Sequence, residues 1–263
     1  MNQPDLVLAQ RERGLLTLTL NRPEVGNAID VAMAVALMRA AIEADEDASV
    51  RAVLLTGRGR FFCVGGDIGV FAAGGERLGP LLKEIAGCLH SAISRFARMR
   101  KPLITAINGP AAGAGLSLAI LGDIAIAARS AHFTLAYPAI GLSPDGGSTW
   151  LLPRLVGLRK AQELALCNRR TTAEEAAAMG LITRSVADDA LAADVTKTTN
   201  ALIASATGAL GRTRQLLLSS FGATLESQME EEARAIAESG RSADGREGIA
   251  AFLAKRTAHF TGE

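Results

Sequence analysis

Short apolar runs alternate with helical stretches along most of this chain, and this alternation limits the fold more than any other feature. The run LLTLTL (residues 15–20) alternates apolar and polar positions, as a half-buried strand does. The runs RAVLLTG, PLITAING and DIAIAARS are compact and end in turn residues, which is typical of buried strands. Helical stretches lie between them, among them DVAMAVALMRAAIEAD, residues 76–100 and TAEEAAAMG, in which Thr172 and Glu175 form a capping box before a stop signal at Gly180. The pattern predicts an α/β core.

The alternation ends near residue 190, and only helical patterns follow. They cover residues 188–205, 210–220, 225–239 and 243–256. Each carries charge on one side and apolar side chains on the other, so each must bury one face. We predict an α/β core over residues 1–195. A C-terminal helical region, 196–263, is expected to pack both on that core and on a neighbouring subunit.

Composition and charge exclude several classes of function. The chain has 263 residues, of which 49% are hydrophobic and 21% charged, as in a globular protein able to bury a substantial core. A net charge of +1 and 4% aromatic residues argue against a nucleic-acid partner. The longest bland stretch, AAGAGLSLAILGDIAIAA, is interrupted by Asp123 and is too short for a membrane span of ~20 residues. We therefore expect neither nucleic acid nor membrane as a partner.

The first residues and the cysteines point to a reducing compartment. The segment MNQPDLVLAQ has no basic region followed by an apolar stretch, so we do not expect secretion. Cys63, Cys88 and Cys167 are an odd count and lie far apart without metal-ligand spacing. The sequence predicts a cytoplasmic protein without a metal, and a buried apolar role for Cys63 rather than a nucleophilic one.

The segment NGPAAGAGLSLA contains Gly109, Gly113 and Gly115 and has three interpretations. A dinucleotide-binding loop would follow the first strand and precede an acidic residue by ~20 positions, whereas this segment begins only at residue 108. The sole tyrosine, Tyr137, is followed four residues later by Gly141, not by the lysine that a short-chain dehydrogenase needs. The glycines could instead allow close helix–strand packing, or they could leave a helix N-terminal amide bare for an anionic oxygen.

A second glycine loop favours the last interpretation. In FFCVGGDIG, Gly65 and Gly66 follow a strand and precede a short turn. Two loops that each expose an N–H can converge on one oxygen, which is what an oxyanion hole requires. Each such donor contributes roughly 2.7–4 kcal/mol to transition-state stabilisation.

One carboxylate stands in the small-residue segment IGLSPDGGSTW. Asp145 precedes Gly146 and Gly147 there. It could cap the turn over residues 146–152, because Asp is a favourable N-cap residue. It could also be placed to move a proton, although the residues of this segment alone favour the cap.

Five segments together resemble the enoyl-CoA hydratase/isomerase (crotonase) superfamily. They are LTLNRPEVGNAI, FFCVGGDI, KPLITAINGPAAGAGLSLAILGDIAIAARSAHF, IGLSPDGGSTWLLPRLVG and GRSADGREGIAAFLAKRTAHFTG, in the family's order. The resemblance covers essentially the whole chain. It implies a core built as a spiral of β-β-α turns and a helical region that forms trimers, which often pair into hexamers. It also implies acyl-CoA thioester substrates and a stabilised enolate. We expect a homotrimer or a dimer of trimers, with CoA arriving as part of the substrate and no permanently bound cofactor.

The resemblance also assigns roles to individual residues. The two oxyanion amides would be those of Gly66 and Ala114. The pantetheine arm would run along a segment that comprises Val64, Gly65, Gly66, Asp67 and Ile68. Phe252 and Lys255 in the last helix would approach the adenine and phosphates of CoA, either within one chain or across a subunit interface. A solvated surface charge is the alternative interpretation of Lys255.

In this family, the side chains next to the oxyanion hole determine which reaction is catalysed. Hydratases of the family use two glutamates to hold and deprotonate water, and Ser117 and Tyr137 occupy those positions here. Serine and tyrosine are poor water-activating bases near neutral pH. Asp145 alone can take a proton from the carbon next to a thioester and return it elsewhere, which is isomerisation.

The segments GLSPDGGSTWLLPR and GRSADGREGIAAFLAKR are most similar to the 1,2-epoxyphenylacetyl-CoA isomerases, in which an Asp at this position is the acid/base. Isomerisation of a Δ3-enoyl-CoA to the Δ2-enoyl-CoA would need the same acid/base and the same oxyanion amides.

Three alternatives stay open beside isomerisation. One is hydration. A second is hydrolytic dehalogenation of an aryl-CoA, in which Asp145 would attack the ring and His90 would activate water. Dehalogenases of the superfamily are expected to have tryptophans where this chain has Leu89 and Tyr137. The register of its helix could point His90 into the substrate pocket beside Tyr137, or His90 could be a helix residue that only touches Tyr137. The third is a non-catalytic relative that binds acyl-CoA or RNA, against which the intact Asp145 and the near-neutral charge argue.

Overall fold

The computed structural model describes residues 5–262. Within them nine strands and ten helices follow one another in the predicted alternation. The strands are β1 (Val7–Glu12), β2 (Leu15–Leu20), β3 (Ala52–Gly57), β4 (Leu103–Ile107), β5 (Ala111–Ala112), β6 (Ile124–Ala128), β7 (His132–Thr134), β8 (Thr171–Thr172) and β9 (Arg184–Val186).

The helices separate these strands and then continue alone. They are α1 (Val31–Glu46), α2 (Ile68–Gly74), α3 (Leu78–Arg98), α4 (Ala114–Ala119), α5 (Ser148–Leu166), α6 (Ala173–Ala178), α7 (Leu191–Ile203), α8 (Thr207–Ser219), α9 (Leu225–Arg241) and α10 (Ala243–Leu253). The capping box predicted at Thr172 and Glu175 is confirmed, because both of its reciprocal bonds are present at the start of α6.

Two sheets carry the core. The larger has the order β1-β2-β3-β4-β6-β9, and the smaller has the order β5-β7-β8. In the larger sheet β1 and β2 are antiparallel, and each later strand runs parallel to its neighbour. The parallel strands require crossover segments, which α1, α3 and α4 help to supply. The observed architecture is the α/β spiral with a helical C-terminal region that the sequence predicts.

The burial of the strands follows their sequence patterns. In β2, Leu16, Leu18 and Leu20 are fully buried while the residues between them are partly exposed, which confirms the predicted alternation. Every residue of β4 is buried. One face of the sheet packs on α1 and α3, and the other packs on α7 through Val195. A sheet covered on both faces is expected to have such continuous apolar strands.

The C-terminal helices differ in detail from the predicted ones. A 3-10 turn, Asp188–Ala190, precedes α7, and α10 ends at Leu253. Helix α7 crosses the boundary at residue 195 that we place between core and tail, and this boundary stays a prediction. Large apolar side chains are exposed along the tail; they are Leu217, Phe221, Leu225, Met229, Ile236, Ile249, Phe252 and Leu253.

No helix within residues 5–262 is both long and apolar enough to cross a membrane.

Candidate active site

Two loops from separate parts of the sheet meet at their backbones. The first follows β3 and contains Gly65 and Gly66; the second leads into α4 through Gly113 and Ala114. They approach so closely that a Cβ atom added to Gly65 would lie 2.8 Å from the carbonyl oxygen of Ala112 and 3.3 Å from the amide nitrogen of Ala114. Only glycine permits this contact at position 65, where φ is +94°.

The amides of Gly66 and Ala114 are both left without a partner. Ile29 pairs with the first loop by accepting from Asp67 and by donating to the carbonyl of Gly65, so the amide of Gly66 points to the opposite side. Ala114 is the first residue of α4, and a helix cannot satisfy its first N–H groups itself. Within residues 5–262 no atom accepts a hydrogen bond from either amide.

Both residues line a cavity of about 320 Å³. Its walls are mainly apolar and come from the first loop, α2, α3 and the segment before α5. The apolar side chains include Ile29, Val64, Ile68, Phe71, Ile85, Leu89, Leu135 and Leu142. Lys83, Tyr137, Ser143 and Asp145 provide the polar groups, and among these described lining residues Asp145 is the one carboxylate. The pocket can therefore hold an apolar group beside two free amides and one acid.

Asp145 does not cap a helix. Helix α5 begins at Ser148 after Gly147, and no side chain caps its N-terminus. The carboxylate turns instead toward the cavity, where its Oδ1 accepts a hydrogen bond from the Tyr137 hydroxyl at 2.5 Å. The capping interpretation is therefore wrong, because the side chain that it requires at the helix end is used elsewhere. Within residues 5–262 no donor makes a hydrogen bond to Oδ2, and the basic side chain within 4.0 Å of it is His90, whose Nε2 lies 3.9 Å away.

Tyr137 is a neutral hydrogen-bond donor in this site. Its side chain is buried, and burial together with the neighbouring Asp145 charge raises the pKa of the phenol above its usual range. A phenol that keeps its proton cannot act as the base that activates water. It can hold one carboxylate oxygen in place, and it does so here.

Ser117 supports the backbone of this segment rather than the cavity. It is fully buried in α4, and its Oγ donates to the carbonyl oxygen of Asp145 at 3.1 Å. Ser148 donates to the same carbonyl from its amide and its hydroxyl. Gly146, with φ of +62°, packs so closely on Ser117 that an added Cβ would lie 2.8 Å from the serine Cβ. A side chain at position 146 would thus displace the turn that presents Asp145.

His90 lies beside the turn, on α3. Its Nε2 accepts a hydrogen bond from the amide of Gly146 at 3.0 Å. The longer approach of the same nitrogen to Asp145, 3.9 Å, would be an ion pair only if the ring were protonated. A bare Nε2 is the form of the ring that fits the shorter contact, because only an unprotonated nitrogen accepts a hydrogen bond. His90 lines a separate, open groove between α1 and α3, not the wall of the cavity.

The other residues named from the sequence fall into two groups. Val64, Gly66, Ala114 and Ile68 line the cavity, and Gly65 forms the contact between the loops. Asp67 does not line it: its carboxylate caps α2 by accepting from the amide of Val70 and pairs with Arg22 at 3.1 Å. Phe252 and Lys255 are exposed on the tail and do not line the cavity of their own chain.

Two residues that the sequence reasoning missed also shape the site. Lys83 lines the cavity from α3, and no motif marks it. Asn27 is fully buried and holds the first loop, because its Nδ2 donates to the carbonyls of Arg58, Phe61 and Phe62. Asn27 lies in the segment LTLNRPEVGNAI, one of the segments that resemble the family, and this could have marked it. A buried side-chain amide needs several hydrogen-bond partners, which the backbone of the first loop provides.

Cys63 is buried next to the first loop, and burial raises the pKa of its thiol to about 12. A thiol that stays protonated near neutral pH is a poor nucleophile. Its burial agrees with the apolar role predicted for it.

The cavity therefore combines one carboxylate with two backbone amides that have no acceptor among residues 5–262. Backbone donors and an acid in an apolar pocket are features of sites that stabilise an oxyanion.

Comparison with known proteins gives the family. The sequence profile described as enoyl-CoA hydratase/isomerase matches residues 10–263. The chain belongs to the enoyl-CoA hydratase/isomerase family. It is 41% identical over 262 residues to the 1,2-epoxyphenylacetyl-CoA isomerase of Escherichia coli K12, covering 98% of this chain and 99% of the relative. It is 43% identical to a probable enoyl-CoA hydratase of Rhodobacter capsulatus, covering 95% of each.

Other relatives show how widely the family's reactions differ. A 4-chlorobenzoyl coenzyme A dehalogenase-2 of an Arthrobacter species is 31% identical and covers 88% of this chain and 84% of its own length. Among solved structures, an enoyl-CoA hydratase from Polaromonas sp. JS666 superposes with a TM-score of 0.92 at 32% identity, covering 97% of this chain and 99% of that one. The family and its fold are therefore shown, and the choice of reaction depends on the site.

Proposed function

We propose that this chain is an acyl-CoA isomerase that shifts a proton and a double bond next to a CoA thioester. One observation carries the proposal: the lone carboxylate of the cavity, Asp145, keeps Oδ2 free while two unpartnered amides line the same space. An enolate mechanism needs one acid/base and one oxyanion site, and Asp145 and the two amides would supply them. The 1,2-epoxyphenylacetyl-CoA isomerase among the relatives supports it, and Δ3-Δ2 enoyl-CoA isomerisation would use the same groups.

The proposed step is written for a 3-enoyl thioester. The thioester oxygen accepts from the amides of Gly66 and Ala114. Oδ2 of Asp145 removes a proton from C2, and the C–H electrons move through the carbonyl to leave a dienolate with its charge on the oxygen. The electrons then return, C4 takes the proton back from Asp145, and the double bond lies between C2 and C3. No atom is gained or lost, and no permanently bound cofactor is needed.

Hydration is the less suitable reaction for this site. Water addition in the family depends on two carboxylates, whereas here Ser117 is buried against the Asp145 carbonyl and Tyr137 keeps its proton. A single acid could not both hold and deprotonate a water while also returning a proton to the substrate.

Dehalogenation is disfavoured by the state of His90. That reaction needs a histidine free to activate water, and Nε2 of His90 already accepts from the amide of Gly146. Halide release from a para-halogenated benzoyl-CoA measures this alternative directly. Sustained release with formation of the hydroxylated product would replace the isomerase proposal by the dehalogenase one.

The proposal is tested with two thioesters in deuterated water. A 3-enoyl-CoA is expected to become the 2-enoyl isomer, with deuterium at C4 in part of the product. Crotonyl-CoA is expected to be hydrated at least ~100-fold more slowly, because removing one catalytic acid or base from such a reaction costs 10²–10⁴-fold. Rapid hydration of crotonyl-CoA without isomerisation of the 3-enoyl thioester would overturn the assignment. Tight binding without turnover of either would favour a non-enzymatic acyl-CoA-binding role.

We further propose that three chains assemble, singly or as a pair of trimers, through the exposed apolar side chains of the tail, in a cytoplasmic setting that suits three free cysteines. Phe252 is 83% exposed in the single chain, a degree unusual for so large an apolar side chain. In such an assembly Phe252 and Lys255 would reach the CoA of a neighbouring subunit. Sedimentation equilibrium is expected to give a mass of three or six chains, and a monomer at micromolar concentration would contradict the proposal.

A further inference from the structure

We propose that His90 is a positioning residue that orients Asp145 through the backbone of the next residue, and that it works only as a neutral ring protonated at Nδ1. This inference rests on the proposed function for its kinetic consequences, but its structural content does not depend on it.

One peptide unit connects the two residues. The carbonyl of Asp145 and the amide of Gly146 belong to the same planar group. Ser117 and Ser148 hold the carbonyl end with hydrogen bonds of 3.1 and 2.9 Å, and His90 holds the amide end at 3.0 Å. A peptide plane held at both ends restrains rotation about the Cα–C bond of Asp145, and thereby limits the directions in which its side chain can leave the backbone.

Among residues 5–262, His90 is the one hydrogen-bond acceptor at the amide end. Gly146 and Gly147 both have positive φ angles, +62° and +73°, so this turn has the conformational freedom of glycine. Within residues 5–262 no other atom accepts from the Gly146 amide. Without an acceptor on α3, the peptide could rotate and move the carboxylate relative to the two oxyanion amides. A shift of 1 Å in such a group costs about 100-fold in rate.

The acceptor role fixes the protonation of the ring. A neutral imidazole has one donor and one acceptor nitrogen, whereas an imidazolium donates from both. Nε2 must therefore be bare, and the proton of the neutral ring must be on Nδ1. If Nε2 gained a proton, it would repel the Gly146 amide and face Oδ2 of Asp145, now 3.9 Å away. Protonation would thus release the turn and engage the one free carboxylate oxygen.

Four charged side chains surround the His90 ring, and among the described residues none of them accepts a hydrogen bond from the Gly146 amide. Asp145 faces the ring from the turn, Asp45 lines the same groove from α1, and Arg95 and Arg98 line it from α3 itself. Asp45 and Arg95 pair with each other at 2.8 Å. The His90 side chain is 50% exposed in the groove, whereas Asp145 faces the cavity.

Two variants separate positioning from general packing. His90→Leu removes the acceptor, and kcat for isomerisation is expected to fall ~10- to 100-fold with little change in KM, because binding groups are untouched while the acid is misplaced. His90→Gln restores an acceptor oxygen that does not titrate, so it is expected to keep much more of kcat than His90→Leu.

The ring itself can be observed without any substrate. The chain has three histidines, so ¹⁵N-histidine labelling with one His90 variant assigns the signal of that ring. At neutral pH we expect an unprotonated Nε2 and a protonated Nδ1. A ring protonated at Nε2 would overturn the inference whether or not the enzyme isomerises any thioester. Equal kcat for His90→Leu and the wild-type enzyme at every pH would also overturn it, whereas a wild-type enzyme that isomerises nothing would refute only the proposed function.

Discussion

Replacing Asp145 with asparagine is expected to lower kcat for isomerisation by ~10²–10⁴-fold, the range that one essential acid/base contributes. Asparagine has the same shape, and its amide oxygen can still accept from the Tyr137 hydroxyl as Oδ1 does now. Its nitrogen, however, cannot take a proton from carbon. The apolar walls and the two amides are unchanged, so affinity for the acyl-CoA should survive. Steady-state kinetics and calorimetric titration with the thioester measure the two effects separately.

A surface aspartate provides the matched control for this change. Asp189 is exposed in the 3-10 turn before α7, far along the chain from the cavity residues. Asp189→Asn makes the same chemical change and should leave both kcat and binding as in the wild-type enzyme. Turnover by Asp145→Asn at the wild-type rate would exclude this residue as the base, and loss of thioester binding would show that it serves the substrate's affinity instead.

Removing the Ala114 amide, which we propose binds the thioester oxygen, is expected to lower kcat/KM by ~10²–10³-fold. Ala114→Pro does this with little cost to the fold, because proline is favoured at the first position of a helix, where its missing N–H has no helical partner. Gly113 before it is not in the α region, with φ of +53° and ψ of −129°, so the usual clash before proline is reduced. The lost group is the bare amide that lines the cavity.

Ala114→Gly is the control for that variant. It keeps the N–H and removes only a methyl group, so its kcat/KM should stay close to that of the wild-type enzyme. Thermal unfolding of all three proteins checks that the proline has not disrupted α4. Equal activity of the proline and glycine variants, both folded, would mean that the Ala114 amide does not bind the thioester oxygen.

The fold could be predicted from the sequence because its signals are local. The alternation in residues 15–20 and the continuous apolar run of β4 each report how many faces of a strand are buried, and the structure confirms both. The capping box at Thr172 is likewise complete within four residues. Helix α5 is different, because its backbone is not helical at Gly157, where φ is +76° and ψ is +154°. No sequence pattern next to Gly157 predicts this break.

The site was predictable in its motifs but not in its hydrogen bonds. Glycines next to strand and helix ends indicated two loops that could approach each other, and the family resemblance named the amides of Gly66 and Ala114 within them. The contact of His90 with the Gly146 amide joins positions 56 residues apart, and nothing local encodes it. Asp67 was expected along the substrate path, yet an Asp immediately before a short helix caps it, and Arg22 holds it there. Which of several possible partners a carboxylate such as that of Asp67 binds depends on the folded structure and cannot be read from local sequence.

A crystal structure of the Asp145→Asn enzyme with a bound 3-enoyl-CoA tests the central proposal most directly. We expect the thioester oxygen within about 3 Å of the amide nitrogens of both Gly66 and Ala114, the distance range of an oxyanion hole, with residue 145 facing C2 and C4 of the acyl chain. A thioester oxygen bound elsewhere, or a side chain at position 145 turned away from those carbons, would contradict it.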